Sequence, residues 1–106
     1  MENQHRKIKG YRELSQAEID LMNRIKAKGG ELLGLQAELM AYLREQEQLK
    51  NEAIGLTADP GEKTAAEEEL IRFSYAEPFR WAHIGKTDIQ TGIMALVRAV
   101  AQPSEC

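Results

Sequence analysis

Tyr11 stands in the stretch Lys9-Gly10-Tyr11-Arg12-Glu13-Leu14-Ser15, and Lys26 and Lys28 follow on the helix that this stretch introduces. An aromatic ring just ahead of a helix start, with cations coming round again about three turns later, suits a planar base joined to a phosphate. The ring stacks on the base, and an ammonium group pairs with the phosphate. Each residue also has a plainer reading. Tyr11 can cover the apolar residues at the helix start, and Lys26 and Lys28 can be ordinary solvated helix positions. The solvated reading is the commoner one, and nearness to Gly29-Gly30, where a backbone can approach a ligand closely, adds weight to binding.

Arg80-Trp81-Ala82-His83-Ile84-Gly85-Lys86-Thr87 is a second basic and aromatic cluster. Arg80 is expected in the first turn of a helix, where free backbone amides also favour an anion. Gly85-Lys86-Thr87 matches the end of a phosphate-binding P-loop, but the upstream glycine and the preceding strand are missing, so that reading is rejected. With only His5 and His83, no metal constellation forms. No nucleophile stands beside a base, and the acidic residues follow helix surfaces. The sequence therefore offers no catalytic residue, and neither a metal nor a cofactor is expected.

Composition narrows the classes further. At 106 residues the chain has room for one domain. A net charge of −3 argues against general DNA or RNA binding, which calls for a strongly basic domain. Arg6, Lys7, Lys9 and Arg12 nevertheless crowd the front, enough to hold a small anion. Cys106 is the sole cysteine and excludes an intrachain disulfide, which fits a reducing compartment. No apolar run approaches the roughly 20 residues of a membrane span, and Met1 leads into polar residues rather than a secretory signal. A cytoplasmic protein is expected.

The elements that must position these residues are helices. Ser15-Gln16-Ala17-Glu18 reads as a capping box, with Leu14 and Ile19 placed to form a hydrophobic staple. Leu21, Ile25, Leu32, Leu35, Leu39, Leu43 and Leu49 then recur at helical spacing, which predicts a long helix over 15–51 with a kink or break at Gly29-Gly30. The connection 55–77 contains a turn at Asp59-Pro60-Gly61 and a second capping box at Thr64-Ala65-Ala66-Glu67, opening a short helix. Pro78 suits a first helical position, and a final helix is expected over 78–102. Residues 1–14 form a basic N-terminal segment. On the final helix Ala82, Gly85, Ile89, Gly92, Leu96 and Ala99 make a seam of alternating three- and four-residue spacing. Beyond Thr91 nearly every side is apolar, with only Arg98 charged. Such a helix must be buried on several sides. The expectation is an all-α antiparallel hairpin with a short extra helix. It would assemble into a compact homo-oligomer, with Gly92 and Ala95 at close helix contacts.

Two stretches, KIKGYRELSQAEIDLMNRIKAK (Lys7 to Lys28) and RWAHIGKTDIQTGIMALVRAVAQP (Arg80 to Pro103), closely resemble the phage-encoded anti-CBASS proteins that sequester cyclic oligonucleotides. That resemblance implies a helical hairpin assembled as a hexamer, related to the core of phage anti-Thoeris sponges. It implies a sponge, which binds cyclic dinucleotides such as cyclic GMP-AMP in the cytoplasm of the infected bacterial host and leaves them intact. Tyr11 becomes the stacking ring and Lys26 the phosphate partner, in a pocket between protomers. A distinct site for cyclic trinucleotides is also implied. Arg80 matches its basic residue, while Lys28 falls where a hydroxyl partner is expected and Thr87 is a substitute. The segment from Leu56 to Glu77 is longer than the usual connection in that family. Two other classes are a purely structural helical oligomer, which leaves Tyr11 and its basic neighbours unexplained, and a nucleic-acid-associated protein, which conflicts with the acidic total.

Overall fold

Ser15 and Glu18 start the first helix by capping each other. The Glu18 amide donates to Ser15 Oγ at 3.2 Å, and the Ser15 amide donates to Glu18 Oε1 at 2.9 Å. Two of the amides that every helix start leaves without partners are thereby satisfied. The structure is a computed structural model that describes residues 12–104. Helix α1 spans Gln16–Leu56, α2 spans Pro60–Ala76 and α3 spans Pro78–Ala101, and no strand occurs among the described residues.

Helix α1 runs unbroken through Gly29-Gly30 and ends at Leu56 rather than near Asn51. The glycine pair is not used to break the helix. Gly29 is buried, and a Cβ added there would overlap Cδ1 and Cγ1 of Ile93 on α3. Its missing side chain is what lets α3 come close, while nothing lies within 4 Å of a Cβ at Gly30. Helix α2 also starts earlier than its sequence suggests. Asp59 accepts from the Gly61 amide at 3.2 Å and Pro60 takes the first turn, where its missing N–H costs nothing. Thr64 therefore lies within the helix, its hydroxyl donating to the Pro60 carbonyl at 2.9 Å, and is not a cap.

Both later helices end on a left-handed residue, Glu77 (φ 51°) after α2 and Gln102 (φ 48°) after α3. The Glu77 amide donates to Ser74 O, and the Gln102 amide to Arg98 O at 2.8 Å. Pro78 follows Glu77 directly, so α3 begins without a further linker.

The contacts divide the chain into two compact units. One comprises Gly34–Lys86. Within it Met40, Leu43, Phe73 and Ala82 are buried together, with Phe79 packed against them. The Phe73 and Phe79 rings meet edge to face with centroids 6.1 Å apart, a favoured aromatic geometry. Lys50 stands over the Phe73 ring at 5.5 Å and reaches Glu69 at 3.8 Å. Gln36 Nε2 donates to the Ala82 carbonyl at 3.0 Å and joins α1 to the start of α3. The other unit comprises Met1–Leu33 and Thr87–Cys106. There the first half of α1 pairs antiparallel with the second half of α3, as the joining of Arg12 to Ala101 and of Gly29 to Ile93 requires.

Of the periodic leucines in α1, only Leu43 is buried, and Leu21, Leu32, Leu35, Leu39 and Leu49 remain exposed. The seam on α3 behaves likewise. Ala82 is buried and Gly85 and Ile89 are half-buried, whereas Gly92, Leu96 and Ala99 are exposed, as is Ala95 beside them. Within one chain nothing lies within 4 Å of a Cβ at Gly92, and the close approach of α3 to α1 is at Gly29.

Gly29 and Gly30 give opposite outcomes on substitution. Gly29→Ala displaces Ile93 and is expected to cost about 1–3 kcal/mol. Gly30→Ala meets nothing and is expected to stabilise by about 0.5–1 kcal/mol. Chemical denaturation of the two variants beside the parent checks this, and a Gly29→Ala protein as stable as the parent would contradict it.

Candidate ligand-binding site

Tyr11, the stacking ring expected from sequence, lies outside the described residues. Its neighbour Arg12 is held by three groups. Nη2 donates to Glu18 Oε2 at 2.5 Å and to the Val100 carbonyl at 2.9 Å, and Nε donates to the Ala101 carbonyl at 3.0 Å. Val100 and Ala101 are in the last turn of α3, whose carbonyls have no partner inside the helix. A guanidinium there satisfies them and meets the negative end of the helix dipole. Glu18 thus does two jobs, capping α1 through Ser15 and fixing Arg12. Hydrogen bonds from Arg12 first, and from the Ser15 amide next, draw its carboxyl from the ordinary 4.5 down to about 2.

Beside this start, α1 and α3 enclose an open groove of about 460 Å³. On α1 the lining residues are Leu21, Arg24, Ile25, Lys28, Gly29 and Leu32, a helical stripe, and Ile89, Gly92, Ile93 and Leu96 face them from α3. The lining is largely apolar, and Arg24 and Lys28 are its charged residues. Its size falls in the range of small-molecule pockets, roughly 300–1,000 Å³. Sequence reasoning missed Arg24 and the groove. The signal was present in the three- and four-residue spacing of Leu21, Arg24, Ile25, Lys28 and Leu32, where an arginine sits within the apolar stripe.

Lys26 is exposed and is not part of this lining. Residues two apart on a helix do not share a face, so Lys26 and Lys28 point different ways. Lys28 pairs with Glu31 at 3.4 Å, and no described residue forms an ion pair with Lys26. Thr87 belongs to the same unit and is exposed.

Arg80 belongs to the other unit. It reaches Glu77 at 3.7 Å and lies over the Trp81 ring at 5.1 Å, and both Arg80 and Trp81 are exposed. Such a stacked guanidinium can still present its outer edge to an anion. Among the described residues no group of three or more His, Cys, Asp or Glu side chains could hold a metal ion. Among the described residues no helix is long and apolar enough to cross a membrane. The groove offers an apolar surface, and the exposed Lys26, Lys28 and Arg80 offer cationic groups that can attract an anion.

The Arg12–Glu18 pair has a defined pH signature. A carboxyl held below its ordinary value contributes stability that is complete above the unfolded-state value near 4.5 and is lost as pH falls through about 2. Carbon-detected NMR titration of the Glu18 carboxyl is expected to give a midpoint near 2, and Arg12→Ala should raise it toward 4.5. A midpoint of about 4.5 in the parent would contradict the pairing.

Comparison with known proteins agrees with this geometry. The family model for the Acb2/Tad1 hairpin domain matches residues 3–101, which includes both helices that form the groove. Over their full lengths the chain is also 57% identical to Anti-CBASS protein 2 of Pseudomonas phage JBD67, each covering 100% of the other. With Ser15, Glu18 and Arg12 closing α1 onto the end of α3 inside the matched region, the chain belongs to the Acb2/Tad1 hairpin family.

Proposed function

We propose that the protein counters bacterial CBASS immunity by binding cyclic dinucleotide second messengers, and in a second site cyclic trinucleotides, without degrading them. Sequestration alone would keep the signal from its effectors. The observation that carries this reading is the full-length identity with a protein named for its action against CBASS. Tyr11 is the stacking ring and Lys26 the phosphate partner, on a ligand shared between protomers. Lys26 suits this role because it is exposed on α1 and has no ion pair with a described residue. Arg80, with Lys28 and Thr87 as further candidates, serves the second site. Both Arg80 and Lys28 have a glutamate within salt-bridge distance, so an arriving phosphate would compete with an exposed and weak pair.

The protein acts as a homo-oligomer, a hexamer in this reading. Support comes from the apolar surface a single chain leaves open: Met94 is 72% exposed and Leu96 56%, beside an open Gly92. Burial against a second copy removes that surface from water, and a cyclic dinucleotide's near two-fold symmetry suits an isologous interface. The ligand is met in the host cytoplasm, and the acidic chain disfavours DNA and RNA as partners.

Stacking is worth about 1–3 kcal/mol per base, so losing two tyrosines from a symmetric site removes roughly 2–6 kcal/mol. Tyr11→Ala should therefore weaken cyclic GMP-AMP binding by about 30-fold to 10⁴-fold. Lys26→Ala should fall in a similar range, from about 1.5–3 kcal/mol per charge-assisted contact. Titration calorimetry measures both, and parent-like affinity in both variants would overturn this pocket.

A further inference from the structure

Two surfaces of this chain share one spacing and carry opposite charges. On the α1 wall of the groove, Leu21, Ile25, Lys28 and Leu32 recur at alternating four- and three-residue intervals, and Arg24 stands just ahead of Ile25. In the unit Gly34–Lys86, Leu35, Leu39, Tyr42, Gln46 and Leu49 keep the same intervals, and Glu38 and Glu45 stand just ahead of Leu39 and Gln46. Such alternation makes a heptad seam, and the position ahead of every second seam residue flanks the contact and selects partners by charge. This second seam faces water: Leu35 is 59% exposed, Leu39 44%, Tyr42 56% and Leu49 55%. Gln46 Nε2 donates to the Tyr42 hydroxyl at 2.8 Å, so the two polar side chains of the seam are tied to one another.

The charges decide what each surface can accept. Arg24, Glu38 and Glu45 are exposed and form no ion pair with a described residue, while Lys28 meets the exposed Glu31 at 3.4 Å. Seam against seam would set glutamate beside glutamate, and groove against groove would set arginine beside arginine. Groove against seam sets Arg24 and Lys28 beside Glu38 and Glu45, which is the complementary arrangement. On the α3 wall of the groove, Gly92 has nothing within 4 Å of an added Cβ, which leaves an incoming helix room to approach.

We propose that the groove between α1 and α3 of one copy is filled by the Leu35–Leu49 seam of a second copy, with Arg24 and Lys28 holding its Glu38 and Glu45 edge. This deepens the homo-oligomer reading and rests on it. The apolar side chains of both surfaces leave water together, and the flanking charges fix which surface meets which.

Reciprocal charge reversal tests the pairing, with the mass of the assembly read by analytical ultracentrifugation. One variant carries Arg24→Glu and Lys28→Glu, the other Glu38→Lys and Glu45→Lys. Each alone sets like charges across the contact and should lose assembly at a concentration where the parent is assembled. Mixed in equal amounts, the two should assemble again, because every reversed groove then meets an unreversed seam and every unreversed groove a reversed one. All four positions are exposed, so circular dichroism should show parent-like helix in both variants. If a double variant fails to fold, Arg24→Glu and Glu45→Lys alone carry the same cycle. A monomeric parent would remove the oligomer reading and the proposal with it. Parent-like assembly by either variant alone would overturn the pairing, leave the groove to another occupant and keep the oligomer reading. Loss in both variants without recovery on mixing would overturn it as well, since the charges would then act in other contacts.

Discussion

A helix covers its apolar face only where another surface lies against it, and this chain has more such face than its own helices can cover. Helix α1 is 41 residues long, roughly 60 Å at 1.5 Å per residue, whereas α2 and α3 have 17 and 24 residues. The buried side chains are few: Met40, Leu43, Phe73 and Ala82 gather in one unit, and the other relies on the close approach of Gly29 to Ile93. At about 25 cal/mol per Å² of apolar surface removed from water, such a core leaves much stabilisation unrealised in a single chain. The proposed assembly rests on that shortage.

The start of α1 concentrates several functions in three residues. Ser15 and Glu18 cap the helix, Glu18 fixes Arg12, and Arg12 closes the end of α3. The groove between α1 and α3 is a separate feature, with Arg24 and Lys28 set among leucine, isoleucine and glycine.

How much of this was legible in the sequence depends on how local each interaction is. The Ser15–Glu18 cap spans three positions, and both of its hydrogen bonds are present. The helical character and the family were legible for the same reason, since they rest on short-range spacing and long matched stretches. The role of Gly29 was not, because the residue that requires it is Ile93 on another helix. Two capping signals competed at the start of α2. Asp59-Pro60 prevailed over Thr64, since the earlier cap lets the helix gain another turn. At the candidate site, sequence supplied residue types but not partners. Nothing in the spacing announced that Arg12 would reach the end of α3.

The central claim, that copies of this chain together hold a cyclic dinucleotide and leave it whole, is tested most directly by native mass spectrometry of the purified protein with cyclic GMP-AMP. The account predicts an oligomer, a hexamer at saturation, carrying one ligand for every two protomers and releasing it at its original mass. A monomer that binds nothing, or nucleotide released with the added mass of water after ring opening, would contradict it.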